Sequence, residues 1–137
     1  MNDTDCIFCK IIAGEIPADK IYEDDNTFAF LDIAPINPGH TLVIPKNHHL
    51  NIFEIPEETL GQMMITVKKV AVALKESLGA ENINLGMNNG KSAGQVVMHA
   101  HIHVMPRYED DGYKLWHGKT YQEGESQKIA EQIKKVI

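Results

Sequence analysis

The chain has 137 residues, 43% of them hydrophobic and 23% charged, a balance that is typical of a globular domain with a buried core. Thirteen basic residues against nineteen acidic ones give a net charge of −6, so we expect no attraction to nucleic acid. No apolar run approaches the ~20 residues of a membrane span and the first residues lack a signal-peptide pattern, so we expect a cytoplasmic protein without membrane contact.

Turn residues and apolar periodicity divide the chain into helices and strands. A first helix is predicted at Cys6–Ala13, a long amphipathic helix between Pro56 and Gly79, and a short C-terminal helix over Ser126–Ile137. Five strands are predicted, at Lys20–Glu23, Thr27–Leu31, Thr41–Pro45, Ile83–Met87 and a histidine-rich segment that ends near Pro106. This order predicts an α+β fold in which an antiparallel five-stranded sheet is covered on one side. No repeat or linker is visible, so we expect one domain over residues 1–137.

Two cysteines near the start of the chain form a CxxC motif, Cys6 and Cys9. In a reducing compartment this spacing indicates metal binding or redox chemistry rather than a structural disulfide. A thioredoxin-like motif would follow a strand, and no strand is predicted before Cys6. Two thiolates do not complete a tetrahedral zinc site, so two further ligands would have to come from the histidine-rich segments. A pair of reduced thiols without metal is the alternative.

Histidines occupy every second position of the segment that begins at His99 and continues through His101 to His103. An extended backbone would place all three imidazoles on one face and the apolar residues between them on the other, toward a core. Imidazoles are poor core residues because each needs a donor and an acceptor partner. The pattern therefore favours a site for phosphate chemistry or for a metal over a structural role.

His101 stands in the middle of the three and is the natural nucleophile toward phosphorus. Neighbouring imidazoles oppose one another's protonation, which keeps such a group neutral at pH 7. The preceding loop, from Asn88 to Gln95, contains Gly90 and Gly94, so its backbone can approach an anion and offer N–H donors. A plain hairpin connection is the alternative interpretation of this loop.

The segment from His99 to Met105 matches the His-φ-His-φ-His-φ-φ signature, where φ is apolar, and the chain resembles the histidine triad superfamily. Further blocks resemble its Hint-like nucleotide-binding branch, and they begin at Cys6, Glu15, Tyr22, Phe28 and Gly39. The likeness covers about residues 6–107, whereas the segment 108–137 does not clearly match. The resemblance implies a homodimer with sheets joined across the interface, and a purine nucleotide as substrate.

The resemblance also implies roles for individual residues. His101 would form a nucleotidyl-histidine intermediate that water hydrolyses, His103 would contact the phosphate, and His40 would support the triad. The residues implied for nucleotide binding lie on a phosphate loop (Asn88, Gly94, Gln95, Val96, Val97), at a ribose acceptor (Asp32) and near the base (Phe8, Ile11, Ile16, Phe30, Ile33). Each of the apolar residues could instead belong to the core, and Asp32 could be a turn carboxylate.

Some members with a CxxC motif also bind zinc, and the matching ligands here are Cys6, Cys9, His48 and His99. Such a closed site would brace the structure rather than act on substrate. The activity implied is hydrolysis or transfer at the α-phosphate, most simply a purine nucleoside phosphoramidase that releases AMP or GMP. Dinucleoside polyphosphate hydrolysis and a nucleotide-binding module with incidental activity are the alternatives. Many Hint-like members carry Ser where this chain has Val96, which leaves the leaving-group preference open.

Overall fold

The computed structural model describes residues 3–137. Three α-helices and five β-strands alternate along the chain, with a short 3₁₀ turn at Lys91–Ala93. The helices are α1 (Ile7–Ile12), α2 (Glu57–Leu78) and α3 (Glu125–Lys134), and the strands are β1 (Lys20–Glu23), β2 (Thr27–Leu31), β3 (Thr41–Pro45), β4 (Asn82–Gly86) and β5 (Ile102–Arg107). None of the helices within these residues has the length and apolar character that a membrane span requires.

The five strands form one antiparallel sheet in the order β1-β2-β3-β5-β4. Strand β5 lies between β3 and β4, with Leu42 opposite His103 and Leu85 opposite Val104. Consecutive strands β4 and β5 form the predicted hairpin, while β3 and β5 are joined by the long connection that contains α2. The α+β fold with a five-stranded antiparallel sheet, a long helix and two shorter helices is as predicted.

Helix α2 covers one face of the sheet and closes the main core. Its apolar stripe follows the helical repeat, so one side of the helix is buried while the other is exposed. The helix ends at Gly79, which adopts a left-handed conformation with φ 68° and donates its N–H to the Lys75 carbonyl. The residues at this interface include Met63, Val67, Val70 and Leu74 of α2 and Ala29, Val43, Ile102 and Val104 of the sheet.

Gly39 marks a close approach between the loop before β3 and the end of α2. Its φ is +95°, and a Cβ atom added there would lie 2.8 Å from side-chain atoms of both Leu74 and Leu78. Only glycine combines this backbone conformation with the available space. The loop is thereby held against the core next to His40, the buried histidine that begins the functional site.

The opposite face of the sheet carries a second apolar cluster and the candidate site. Helix α1 packs there, and its buried residues Phe8 and Cys9 contact a set of sheet residues: Phe28, Phe30, Leu42 and Ile44. Because strand side chains alternate, His103 projects to this face while Ile102 and Val104 enter the α2 core. The predicted burial of Ala100, Ile102 and Val104 away from the histidines is confirmed.

Several predicted boundaries were wrong. Helix α1 is one residue shorter at each end than predicted, and β4 lies at Asn82–Gly86 rather than at Ile83–Met87. Strand β5 begins at Ile102 rather than at His99, because the N–H of Ala100 donates to the carbonyl of His49 and not to a neighbouring strand. Helix α3 ends at Lys134 rather than at Ile137. The apolar residues of α3 find no core, since Ile133 is 52% exposed.

Candidate functional site

The three histidines at the start of β5 lie on one side of the chain, as predicted, although only His103 lies within the strand. The ring centroids of His101 and His103 are 5.0 Å apart. The ring of Phe8 contacts both His99 and His101 edge-on, with centroids 5.8 and 5.3 Å away. His99 and His101 are buried, and His103 is half-buried at the mouth of a pocket.

The tautomer of His101 follows from one hydrogen bond. Its Nδ1 lies 2.7 Å from the carbonyl oxygen of His99, and a carbonyl can only accept. Nδ1 therefore carries the proton in the neutral ring, and Nε2 carries the lone pair. No hydrogen bond within residues 3–137 occupies that Nε2, so His101 presents a free nucleophilic nitrogen to the pocket.

The tautomer of His103 follows from a chain of two hydrogen bonds. The N–H of Ile36 donates to Nδ1 of His40 over 3.1 Å, so His40 must carry its proton on Nε2. That N–H donates to Nδ1 of His103 at 2.8 Å, which leaves the His103 proton on Nε2. Asp32 stabilises the orientation of His40 from 3.6 Å. His103 thus offers an N–H donor beside the lone pair of His101.

Burial keeps these imidazoles uncharged. The pKa of His103 is lowered to about 4, mainly by desolvation and in part by the adjacent His101 and His40. Desolvation also lowers the pKa of His101, against the opposing effect of its hydrogen bond to His99. The pKa of His40 is lowered by burial too, and the Asp32 carboxylate partly offsets this. The triad is therefore neutral at pH 7, as a nucleophile requires.

An apolar pocket of about 410 Å³ opens beside His101 and His103. Its polar groups are few and lie at one end, where Asp32 and Asn88 stand near the two histidines. Asp32 accepts the N–H of Ala34 at 2.9 Å through one carboxylate oxygen. Its apolar walls come from α1 (Ile7, Phe8, Ile11), from the sheet (Phe30, Leu42) and from two loops (Ile33, Ala34, Val96, Val97). Ile33 lines this pocket although its side chain is 96% exposed.

The loop before the histidines uses some of its predicted N–H donors internally and leaves others free. The N–H groups of Gly90 and Gly94 are used inside the loop, since they donate to Gln95 Oε1 and to the Lys91 carbonyl. No hydrogen bond within residues 3–137 uses the N–H groups of Val96, Val97 and Met98. Two of these residues, Val96 and Val97, line the apolar pocket together with His101, so their N–H groups can hold an anion there.

Gln95 holds this loop in place from inside. Its side chain is 3% exposed, and its Nε2 donates to the Leu50 carbonyl at 2.6 Å and to the Val97 carbonyl at 3.1 Å. Its Oε1 accepts the N–H of Gly90 at 2.8 Å. The Gln95 side chain thus makes its hydrogen bonds to the protein backbone. These bonds orient the segment that carries the N–H donors of Val96 and Met98.

Replacement of Gln95 by alanine should therefore weaken anion binding at this loop without removing any of its free N–H donors. Three hydrogen-bonding groups would lose their partner, which should cost about 1–3 kcal/mol of unfolding free energy. The displaced donors should raise the Kd for inorganic phosphate about tenfold, measured by calorimetry. Gln127→Ala, at an exposed position of α3, is the matched control and should change neither quantity. An unchanged Kd in Gln95→Ala would contradict this role.

A second cluster, Cys6, Cys9, His48 and His99, lies behind the histidines, and its ligand atoms are all within 4.8 Å of one another. His99 Nδ1 is 3.4 Å from Cys6 Sγ and 3.6 Å from Cys9 Sγ, and His48 Nδ1 is 3.5 Å from Cys9 Sγ. A zinc ion with ordinary bond lengths and tetrahedral angles would separate sulfur and nitrogen ligands by about 3.6 Å. The cluster therefore fits a tetrahedral metal ion.

The outer contacts of this cluster also suit a metal. His99 Nε2 lies 2.9 Å from the Pro45 carbonyl, so it carries the proton and Nδ1 points its lone pair at the thiols. Burial raises the pKa of the Cys9 thiol, so a cation is needed to stabilise the thiolate. The four residues come from α1, from the end of β3 and from the segment before β5. The fold, not their sequence spacing, brings them together.

A known domain family matches most of the chain. Residues 13–110 match the family described as the HIT domain. The chain belongs to the HIT domain family. The family resemblance predicted from the histidine signature is therefore confirmed.

Relatives of this HIT domain agree along most of its length. The Protein hit of Bacillus subtilis (strain 168) is 45% identical over 134 residues, which cover 95% of this chain and 92% of that protein. The adenylylsulfatase HINT3 of Arabidopsis thaliana is 45% identical over 107 residues, 78% of this chain and 54% of that protein. A crystal structure of a zinc-bound histidine triad family protein from Mycobacterium smegmatis has TM-score 0.77 and 37% identity, and the match covers 97% of this chain and 98% of that one.

Most residues predicted for nucleotide binding in this HIT domain line the apolar pocket, but two do not. Ile16 lies past the end of α1, outside the pocket, and Gln95 is turned into the loop. Three lining residues, Ile7, Ala34 and Leu42, were not predicted. Ile7 could have been found, because it stands four positions before Ile11 on the same helical face. Ala34 and Leu42 give no such signal in the sequence.

A second cavity lies on the other side of His103. It measures about 590 Å³ and shares His103 and Asn88 with the apolar pocket. His40 lines this cavity and not the apolar pocket, so it supports the triad from behind. The remaining walls are largely apolar and come from β4, β5 and the C-terminal segment, among them Leu85, Met105, Lys114, Leu115 and Trp116.

Proposed function

We propose that this HIT domain is a nucleotide hydrolase or transferase that acts at an α-phosphate through a nucleotidyl intermediate on His101. The observation that carries the proposal is the pair of tautomers beside the apolar pocket. Nε2 of His101 has a free lone pair, and Nε2 of His103 has a proton to donate to a phosphoryl oxygen. Binding alone would not require an uncharged nucleophile in this position.

The reaction has two displacement steps. Nε2 of His101 attacks the α-phosphorus and forms a P–N bond, while the bond to the leaving group breaks and that group takes a proton from solvent. The Nδ1–H of His101 stays bonded to the His99 carbonyl, which stabilises the positive charge on the phosphorylated ring. Water then attacks the phosphorus and gives up a proton to solvent, the P–N bond breaks with its electron pair returning to Nε2 of His101, and a nucleoside monophosphate leaves.

The charge that develops on the phosphoryl oxygens needs local donors because the chain is acidic overall. The Nε2–H of His103 and the N–H groups of Val96, Val97 and Met98 supply them. The base would lie between the apolar walls, with Asp32 accepting from ribose hydroxyls. The adenylylsulfatase relative supports an adenylyl group as the part that is bound.

A purine nucleoside phosphoramidate is the substrate that we favour, with AMP or GMP as product. Dinucleoside polyphosphates are the other candidate substrates. The second cavity beside His103 has a volume of about 590 Å³ and could hold a bulky leaving group. A side-by-side turnover assay on an adenosine phosphoramidate and on diadenosine polyphosphates separates the two. Turnover of neither, with AMP still bound, would instead identify a nucleotide-binding module.

We also propose that zinc occupies the cluster of two cysteines and two histidines. The distances fit a tetrahedral ion, and the zinc-bound relative supports the choice of metal. Four protein ligands leave no open position, so the ion would hold α1 and His99 in place. Metal content after purification without added zinc tests this, and a value below ~0.2 Zn²⁺ per chain would contradict the site.

A homodimer is proposed from the family resemblance, and the structure offers two features that support it. Strand β4 is an edge of the sheet with free hydrogen-bonding groups, and the outer face of α2 exposes Met64, Ile65 and Val72. Sedimentation should therefore give a species of about twice the 15.3 kDa chain mass. A stable monomer would contradict the proposal.

The activity should persist in mildly acidic solution. His101 must be neutral to attack, and burial places its pKa below the ordinary 6.5, with that of His103 at about 4. Activity is lost as pH falls through these folded-state values, so the acid limb of kcat/KM should have its midpoint below pH 6.5. A pH–rate profile, with circular dichroism at each pH to confirm folding, measures this. A midpoint at or above 6.5 would contradict it.

A further inference from the structure

Helix α1 lies between the metal cluster and the apolar pocket. Cys6 caps the helix and Cys9 lies inside it, while Ile7, Phe8 and Ile11 line the pocket. A helix of six residues is not stable by its own hydrogen bonds, so its position depends on what its side chains contact. Whatever holds the two cysteines therefore also holds one wall of the pocket.

Phe8 connects the two sites directly. Its ring is buried in the same apolar cluster as the cysteines and packs edge-on against His99 of the metal cluster and His101 of the pocket. It also contacts Phe30, with centroids 5.5 Å apart. A shift of α1 would move this ring against both histidines at once, because buried aromatic contacts of this kind leave little free space.

The backbone around His99 provides a second connection. The side chain of His99 contacts both thiols, and its carbonyl accepts the hydrogen bond that sets the tautomer of His101. On the next residue, the N–H of Ala100 donates at 2.7 Å to the carbonyl of His49, the neighbour of the ligand His48. The peptide that orients the nucleophile therefore belongs to one proposed metal ligand, His99, and is hydrogen-bonded to the residue that follows another, His48.

We infer that metal binding at Cys6, Cys9, His48 and His99 and nucleotide binding at His101 are thermodynamically coupled, with Phe8 and His99 as the positioning residues. A metal ion that fixes α1 and the His99 peptide prepares the pocket wall and the nucleophile together. By linkage, a bound nucleotide must raise the affinity for the metal by the same factor. This inference rests on the proposed metal site and the proposed nucleotide site.

The experiment measures both affinities in both directions, with AMP and Zn²⁺ as probes. The Kd of AMP is determined by calorimetry for the zinc-loaded and the metal-free chain, and the Kd of Zn²⁺ by chelator competition with and without saturating AMP. We expect zinc to tighten AMP binding at least about fivefold, and AMP to tighten zinc binding by the same factor. The comparison of the Zn²⁺ Kd with and without AMP remains valid even if the metal-free chain loses part of its structure.

Two variants show whether the coupling runs through Phe8. Phe8→Leu keeps an apolar side chain but loses the ring that touches both histidines, so the coupling factor should fall at least about twofold. Ile33→Ala is the matched control. Ile33 lines the same pocket, but its side chain is exposed and it is not one of the metal-cluster residues. It should weaken AMP binding equally with and without zinc and leave the coupling factor unchanged.

The outcomes separate this inference from the proposals beneath it. Zinc and AMP that bind with independent affinities would overturn the coupling while both proposed sites stand. A coupling factor that Phe8→Leu and Ile33→Ala change equally would overturn the role of Phe8. A chain that binds no zinc would overturn the metal site and the coupling with it, and a chain that binds no AMP would overturn the proposed function.

Discussion

His101→Ala should lower kcat/KM for an adenosine phosphoramidate by at least ~10³, which is about 4 kcal/mol of transition-state stabilisation. The variant removes the nitrogen that attacks phosphorus, and the groups that remain can only bind substrate. The ring of His101 is buried under Phe8, so the stability of the variant must be measured beside its activity. The Kd of AMP should change far less than the turnover rate.

His117→Ala is the matched control, since His117 lies on the exposed C-terminal segment and touches no part of the site. Its turnover should equal that of the unaltered chain. Substrate trapped on the unaltered chain should yield a phosphorus–nitrogen adduct on His101, isolated under conditions where such a bond survives. Near-normal turnover in His101→Ala, or an adduct on another residue, would rule out this nucleophile.

Removal of the metal should lower the free energy of unfolding more than any of the proposed substitutions outside the metal cluster. With zinc bound well above its Kd, the linked stabilisation reaches about 3 kcal/mol or more, and chelation would remove it. The loss should be large here because the four ligands join three separate parts of the chain. Denaturant unfolding with and without a chelator measures the difference.

The double variant Cys6→Ser, Cys9→Ser serves as the internal control for this measurement. It lacks both thiolates, so its stability should be low and should not respond to the chelator. The chain contains no other cysteine, so no second thiol can replace them. Equal stability of the unaltered chain with and without chelator would show that the cluster holds no structural ion.

Local sequence patterns are sufficient to predict most of the fold. Helix α2 ends at Gly79 as predicted, because an apolar repeat and a helix-ending glycine act over a few residues. The strands β1, β2 and β3 match their predicted bounds, since short apolar runs between turn residues have one stable arrangement. Helix α3 is shorter than predicted because its apolar stripe finds no partner among residues 3–137 to bury it.

The residue types of the site can also be predicted, but their atomic roles cannot. The alternation of His99, His101 and His103 is enough to indicate a reactive face. The free Nε2 of His101 and the N–H of His103 depend on hydrogen bonds from His99, His40 and Ile36. Such partners are set by three-dimensional contacts, so the sequence alone leaves both tautomers open.

By itself the sequence determined most of the elements, the two faces of the histidine segment and the CxxC pair of cysteines. These follow from interactions between residues that are near in the chain. Only the tertiary structure decided that Gln95 supports the loop, that Val96, Val97 and Met98 offer the free donors, and that Phe8 touches both sites. Those contacts join residues that are distant in sequence, and only packing brings them together.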